Sequence, residues 1–201
     1  FVCDARCEMC HNWKRGDRKL DMTLPQIEQA MSSNLWKNVE NCNISGGEPT
    51  TRNDLVDICR VMIDKFPKLR KLTINTTGLT PHRAIPMLTK VVEMCHERNV
   101  IFSTRVSIDG VNDMHGEVRH VKNAFQKAGK TIAAMKELQK THPFNFGISS
   151  TIFSKNRLAS MSSPGSASPS TNRSQTPSSP PAAPAANRSR SVNAALSGSI
   201  T

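Results

Sequence analysis

The segment Val39-Glu-Asn-Cys-Asn-Ile-Ser-Gly-Gly-Glu-Pro49 decides the fold of this chain. Its first part, Val39–Ser45, predicts a short strand that ends where Gly46 breaks the pattern. Apolar residues recur at helical spacing before it, from Thr23 to Met31, and after it, from Asn53 to Phe66. A strand between two helices is typical of an α/β sheet, because parallel strands need a crossover connection.

The same alternation continues along the chain to about residue 153. Three further strands and two further helices are predicted, namely strands at 69–75, 100–108 and 144–153 and helices from Pro81 and at Ala124–Leu138. In barrels of such units, functional residues lie on the loops that follow the strands. We therefore expect the loops Gly46–Pro49, Thr76–Gly78 and Ser107–Gly110 to contact a shared ligand.

Three cysteines near the start of the chain have metal-binding spacing. Cys3, Cys7 and Cys10 form a C-x3-C-x2-C pattern, so their thiolates can surround one compact metal centre. A [4Fe-4S] cluster normally takes four thiolates, and with three it keeps one iron open. A structural zinc site needs four protein ligands, which His11 would complete as a Cys3His site. The zinc-stabilised binding module is therefore the alternative reading.

The cysteine loop and the glycine loop together resemble the radical S-adenosylmethionine (radical SAM) superfamily. The resemblance implies that the cysteines hold a [4Fe-4S] cluster. It also implies that the loop Gly46, Gly47, Glu48 and Pro49 contacts the methionyl amino group of S-adenosylmethionine, which one electron cleaves to a 5′-deoxyadenosyl radical. An external donor of the flavodoxin or ferredoxin type would supply that electron.

A later segment is similar to one branch of the same superfamily. Arg105-Val-Ser-Ile-Asp-Gly110 followed by His115-Gly-Glu-Val-Arg119 resembles the fourth-strand region of peptide-modifying and pyrroloquinoline-quinone-type enzymes, with Ile108 for Leu and Gly116 for Asp. The resemblance implies either a peptide or a small-molecule substrate in cofactor biosynthesis. The further cofactor-binding residues that it implies are Met9, Thr76, Ser107, Asp109 and Arg119.

The expected fold is a partial (β/α)6-type barrel, incomplete at both ends, over residues 1–158. Phe1-Val2 is the stub of a first strand, and no segment is a candidate for the final helix and sixth strand. The expectation is thus a fragment of a longer enzyme, with an inactive remnant as a third hypothesis. Residues 159–201 contain 13 Ser, 8 Ala, 6 Pro and no acidic residue, which predicts a disordered tail.

Composition limits the partners. The formal charge is +11, but the lysines are scattered and there is no tyrosine, so nucleic-acid binding is not expected. No apolar run is long enough to span a membrane, and no signal-peptide pattern is visible. We therefore expect a cytoplasmic protein. Cys59 and Cys95 fall in helical patterns and are expected to be small buried hydrophobes.

Overall fold

A parallel β-sheet forms the centre of the computed structural model, which describes residues 2–17, 19, 21–153, 156 and 191–195. All neighbouring strands pair in parallel, in the order β4-β3-β2-β1-β5. The strands are β1 Asn41–Ser45, β2 Lys71–Thr76, β3 Ile101–Ser107, β4 Asn145–Ser149 and β5 Ser191–Ala195.

Five α-helices connect the first four strands or precede them. They are α1 Leu24–Met31, α2 Leu55–Lys65, α3 Pro81–Glu97, α4 Asp113–Arg119 and α5 Ala124–Leu138. Helix α1 begins after Thr23, whose amide donates to Gln26 Oε1 at 2.8 Å, as in a capping box. No helix of the described part combines the length and the apolar character that crossing a bilayer requires.

The core lies between one face of the sheet and the helices. Alternate strand residues such as Cys42, Ile44, Leu72 and Ile74 are buried against the apolar stripes of the helices. Side chains alternate between the faces of a strand, so the residues between them lie on the opposite face. Cys59 and Cys95 are buried in this core, as expected.

The predicted partial α/β barrel is confirmed, and its predicted helices and strands recur with small shifts of their ends. Helix α4 was not predicted, because its seven residues are too short for a periodic apolar pattern. Phe1 lies outside the described residues, and Val2 is not part of a strand. The expected strand stub is therefore not observed.

Most of the expected disordered tail, residues 159–201, lies outside the described residues. Ser191–Ala195 differ from that expectation because they form β5, which pairs in parallel with β1 along its whole length. Ladder pairing uses backbone N–H and C=O groups, which the free edge of β1 offers to any extended segment. Such pairing needs no apolar side chains, so composition did not predict it.

Candidate active site

A cavity of about 210 Å³ lies at the carboxyl ends of β1, β2 and β3. Its lining includes ten of the predicted site residues, which are Cys3, Cys7, Met9, Cys10, Gly46, Gly47, Glu48, Thr76, Ser107 and Arg119. Pro49 and Asp109 are buried and do not line it. Thr77, in the predicted loop Thr76–Gly78, lines it too. Sequence reasoning missed six lining residues, namely Ala5, Asn12, Trp13, Ser45, Asn75 and Thr151.

The cysteine loop is held in place by the end of α4. The amide of Arg6 donates to the carbonyl of Arg119 at 3.0 Å, and the amide of Glu8 donates to the carbonyl of Val118 at 3.2 Å. The last carbonyls of a helix have no partner inside the helix, so they are free to accept these bonds. The loop therefore takes its position from an element more than a hundred residues further along the chain.

All three cysteines of the loop are free thiols. Burial raises the pKa of Cys3 to about 11. Burial also raises the pKa of Cys7, although the guanidinium of Arg119 acts in the opposite direction. Thiols must lose their protons to bind a metal, so metal binding at this loop would release protons.

The cysteines lie between the inner cavity and a wider outer cavity of about 660 Å³. His11 lines only the outer one. Among the described residues, no three His, Cys, Asp or Glu side chains gather closely enough for a single metal ion. Three free thiols match the donor set of a [4Fe-4S] cluster that keeps one iron open, and the Cys3His zinc site stays the alternative.

The two glycines of the loop after β1 have separate conformational roles. Gly46 has φ of 152°, in the region that favours glycine. A Cβ on Gly47 would overlap the carbonyl oxygen of Val2, which accepts from the amide of Glu48 at 3.0 Å. Gly47 thus lets the cysteine loop pack directly on this loop. Since glycine has no side chain, both residues present only backbone to the cavity.

Glu48 is 2% exposed and bonds to three threonines. Its Oε1 accepts from the Thr50 amide at 3.1 Å, the Thr50 hydroxyl at 2.6 Å and the Thr76 hydroxyl at 2.7 Å. Its Oε2 accepts from the Thr77 amide at 2.6 Å. Burial and the nearby Asp4 raise the pKa of Glu48. The carboxylate is occupied by protein donors, so its observed role is to join the loops after β1 and β2.

Asp4 links the cysteine loop to the loop after β2. Its carboxylate accepts from the Thr77 hydroxyl at 3.0 Å and from the Thr80 hydroxyl at 2.8 Å. Nothing in the local sequence pairs Asp4 with threonines 73 and 76 residues away. This contact was therefore not predictable from the motifs.

Asp109 and Arg119 form a buried ion pair beneath the cysteine loop. Asp109 Oδ2 accepts from Arg119 Nε at 2.7 Å and from Nη2 at 2.6 Å. Asp109 Oδ1 accepts from the Thr151 amide at 2.9 Å. Asp109 is 2% exposed and its carboxylate bonds to protein groups, so its contact with the cofactor stays a prediction. Arg119 lines the cavity, while Asp109 holds its side chain there.

His115 completes this region. It is fully buried, and its Nδ1 accepts from the Asp109 amide at 3.1 Å. Burial and the guanidinium of Arg119 lower the pKa of His115 to about 4. The imidazole is thus neutral near pH 7, with its proton on Nε2, because Nδ1 is the acceptor.

This parallel sheet, with a cysteine loop and a glycine loop facing one cavity, is the arrangement of a cluster-dependent α/β enzyme. The Radical SAM superfamily model matches residues 1–152. The chain belongs to the radical SAM superfamily, whose enzymes use a [4Fe-4S] cluster and S-adenosylmethionine and need an electron donor.

Curated relatives share parts of the chain. It is 34% identical over 83 residues to a GTP 3′,8-cyclase of Synechococcus elongatus, covering 38% of this chain and 24% of that protein. It is 26% identical over 136 residues to a probable GTP 3′,8-cyclase of Methanococcus vannielii, covering 63% of this chain and 41% of that protein. It is 34% identical over 114 residues to an AdoMet-dependent heme synthase of Methanosarcina barkeri, covering 56% of this chain and 29% of that protein. The chain thus spans less than half the length of these relatives.

Proposed function

We propose that this chain is the cofactor-binding core of a radical SAM enzyme that reductively cleaves S-adenosylmethionine. The observation that carries the proposal is that three free cysteines and the Gly46–Gly47 backbone face one cavity. Cys3, Cys7 and Cys10 would hold the cluster. When bound, the reduced cluster supplies the electron that cleaves S-adenosylmethionine to a 5′-deoxyadenosyl radical.

The residues of the cavity have distinct proposed roles in holding S-adenosylmethionine. The backbone of Gly46 and Gly47 would accept hydrogen bonds from the methionyl ammonium. Met9 would pack against the adenine, since it is partly buried in the apolar cluster beside the cysteines. Ser107 would bond the ribose hydroxyls. Glu48, Asp109 and Pro49 would position these loops, and Thr76 would do so through its hydrogen bond to Glu48.

For the substrate, we propose a small molecule in cofactor biosynthesis. Support comes from the relatives, which are named as GTP 3′,8-cyclases and a heme synthase. We further propose a flavodoxin or ferredoxin as electron donor and the cytoplasm as location. Residues 1–158 would form the catalytic core, and residues 159–201 would be a separate segment.

The test is anaerobic reconstitution of the full chain with iron and sulfide. We expect one [4Fe-4S] cluster, seen by iron and sulfide analysis and by electron paramagnetic resonance of the reduced protein. Replacing Cys3, Cys7 or Cys10 by Ala should abolish the cluster. Cys59→Ala is the matched control, because its thiol is buried in the helical core and should leave the cluster intact.

Cleavage is tested by chromatography of 5′-deoxyadenosine after reduction. The wild-type chain should form it, whereas the Cys→Ala variants of the loop should not. Stoichiometric zinc without acid-labile sulfide would contradict the proposal and favour the binding module.

A further inference from the structure

One face of the sheet is polar and is not part of the helical core. Residues at alternate positions of β1 to β4 lie on it, opposite the buried apolar ones. They are Asn41, Asn43, Ser45, Lys71, Thr73, Asn75, Ile101, Ser103, Arg105, Ser107, Asn145, Gly147 and Ser149. Apart from Ile101 and Gly147 these residues are polar, so the face suits contact with water or with a polar ligand and not with a second apolar layer.

The charge of this polar face has one sign. Its strand positions carry Lys71 and Arg105 and neither aspartate nor glutamate. The carboxylates at the carboxyl end of the sheet already have partners, because Asp4 and Glu48 accept from threonines and Asp109 accepts from Arg119. The strand positions of this face therefore carry only positive formal charges, and Arg105 is the one nearer the candidate active site, because Lys71 begins β2 at its amino end.

Arg105 occupies the position on this face that is best suited to binding a ligand. Its side chain is exposed, and its Cγ would lie 3.8 Å from a Cβ placed on Gly147. Within the described part of the chain it forms no hydrogen bond or ion pair. Other exposed arginines, such as Arg60 and Arg98, pair with aspartates. An unpaired guanidinium on a polar face offers a planar set of donors that fits carboxylate or phosphate oxygens.

Arg105 also adjoins the cavity proposed for the cofactor. It pairs in register with Asn75 on β2, and Asn75 lines the cavity. Neighbouring strands lie about 4.8 Å apart, and residues two apart on a strand are separated by roughly 6.6 Å. Ser107, two residues along β3, lines the same cavity. A small molecule held by Arg105 would thus reach the cavity with its other end.

We propose that Arg105 binds the anionic group, phosphate or carboxylate, of the enzyme's small-molecule substrate on this polar face. The inference rests on the proposed function, because it assigns the substrate of that site. It adds a chemical requirement, namely that the substrate carries negative charge at one end. The end that reacts lies toward Ser107 and Asn75.

The experiment measures anion binding by the reconstituted full chain, saturated with S-adenosylmethionine, using isothermal titration calorimetry at low ionic strength. One arm uses inorganic triphosphate and the other uses succinate, which separates a phosphate substrate from a carboxylate one. We expect binding in at least one arm. Arg105→Gln should weaken it about tenfold to a hundredfold, the range of a charged hydrogen bond. Arg105→Lys should retain part of it.

Arg70→Gln is the matched control, because it removes the same charge from an exposed arginine outside the polar face. It should leave both titrations unchanged. A second measurement uses only the wild-type chain, so it does not depend on a variant folding. Bound anion should protect Arg105, but not Arg70, from phenylglyoxal, as read by peptide mass spectrometry.

Three results would overturn the inference: no binding of either anion, equal weakening by Arg105→Gln and Arg70→Gln, or no protection of Arg105. Cluster content and S-adenosylmethionine affinity are measured on the same samples. If both are normal and Arg105 has no effect, the anion site is wrong and the proposed function stands. If the wild-type chain binds no cluster, the proposed function fails, and the same titrations and protection measurement on the cluster-free chain decide the anion site.

Discussion

Two buried carboxylates, on the loops after β1 and β3, hold the candidate active site in different ways. Among the described residues, Glu48 after β1 accepts only from uncharged groups, namely the Thr50 amide and hydroxyl, the Thr76 hydroxyl and the Thr77 amide. Asp109, after β3, pairs with the guanidinium of Arg119. The first carboxylate is compensated by dipoles and the second by a full charge.

This difference has energetic consequences. Removing one partner of a buried ion pair leaves the other charge without compensation. Removing a carboxylate that binds only neutral donors leaves those donors short of an acceptor, and it also removes a charge that was costly to bury. The same carboxylate-to-amide change should therefore lower the free energy of unfolding more at Asp109 than at Glu48.

Asp109→Asn should have the largest effect. It leaves the buried Arg119 without its counter-charge, so we expect a loss of about 3–5 kcal/mol in the free energy of unfolding. Urea denaturation measures it. Because the Arg119 and Val118 carbonyls hold the cysteine loop, cluster content should fall as well.

Asp64→Asn is the control for that variant. It breaks the ion pair with Arg98, in which the Arg98 and Asp64 side chains are 54% and 41% exposed. The free energy of unfolding should fall by under about 1 kcal/mol. The double variant Asp109→Asn with Arg119→Gln should recover part of the loss, because no buried charge then remains. Equal losses at Asp64 and Asp109 would refute the contrast.

Acid should affect the two regions in opposite directions. The folded-state pKa of His115 is lowered to about 4, so the unfolded chain binds its proton first, and stability falls between about pH 6.5 and pH 4. The pKa of Glu48 is raised, so its contribution to stability grows as pH falls toward its unfolded value.

In the wild type, protonation of His115 should lower the free energy of unfolding by up to about 3 kcal/mol in acid, at 1.36 kcal/mol per pKa unit. His115→Asn should remove this loss. Denaturation curves at pH 7 and pH 4.5 measure it, with the exposed His82→Asn as control. An unchanged pH dependence in His115→Asn would show that this histidine is not the source.

Glu48→Gln should have the smallest effect, a loss of about 1–2 kcal/mol in the free energy of unfolding. One buried amide N–H of the loop loses its acceptor, and removal of a buried charge offsets part of that loss. S-Adenosylmethionine affinity should fall only through displacement of the Gly46–Gly47 backbone. Equilibrium dialysis measures it. A loss as large as that of Asp109→Asn would show that the charge of Glu48 is itself required.

Much of the fold was predictable because it rests on local patterns. The helical stripe of α2 and the β-branched residues of β3 each predict their own element, and so does the succession of strands and helices. Helix α4 was missed because seven residues make no reliable period. Strand β5 was missed because its pairing uses backbone groups of β1, which side-chain composition does not report.

For the site, the sequence predicted the cysteine loop and the glycine loop from short motifs and Ser107 from a family resemblance. Residues of all three line one cavity, and their roles stay predictions. Which side chains face the cavity and which support it was decided only by the tertiary structure. Glu48 and Asp109 are motif residues, but their oxygens are bonded to threonines and to Arg119 from other loops. Such partners meet only when parallel strands bring their ends together, since hydrogen bonds act over about 3 Å and sequence distance carries no information on that scale.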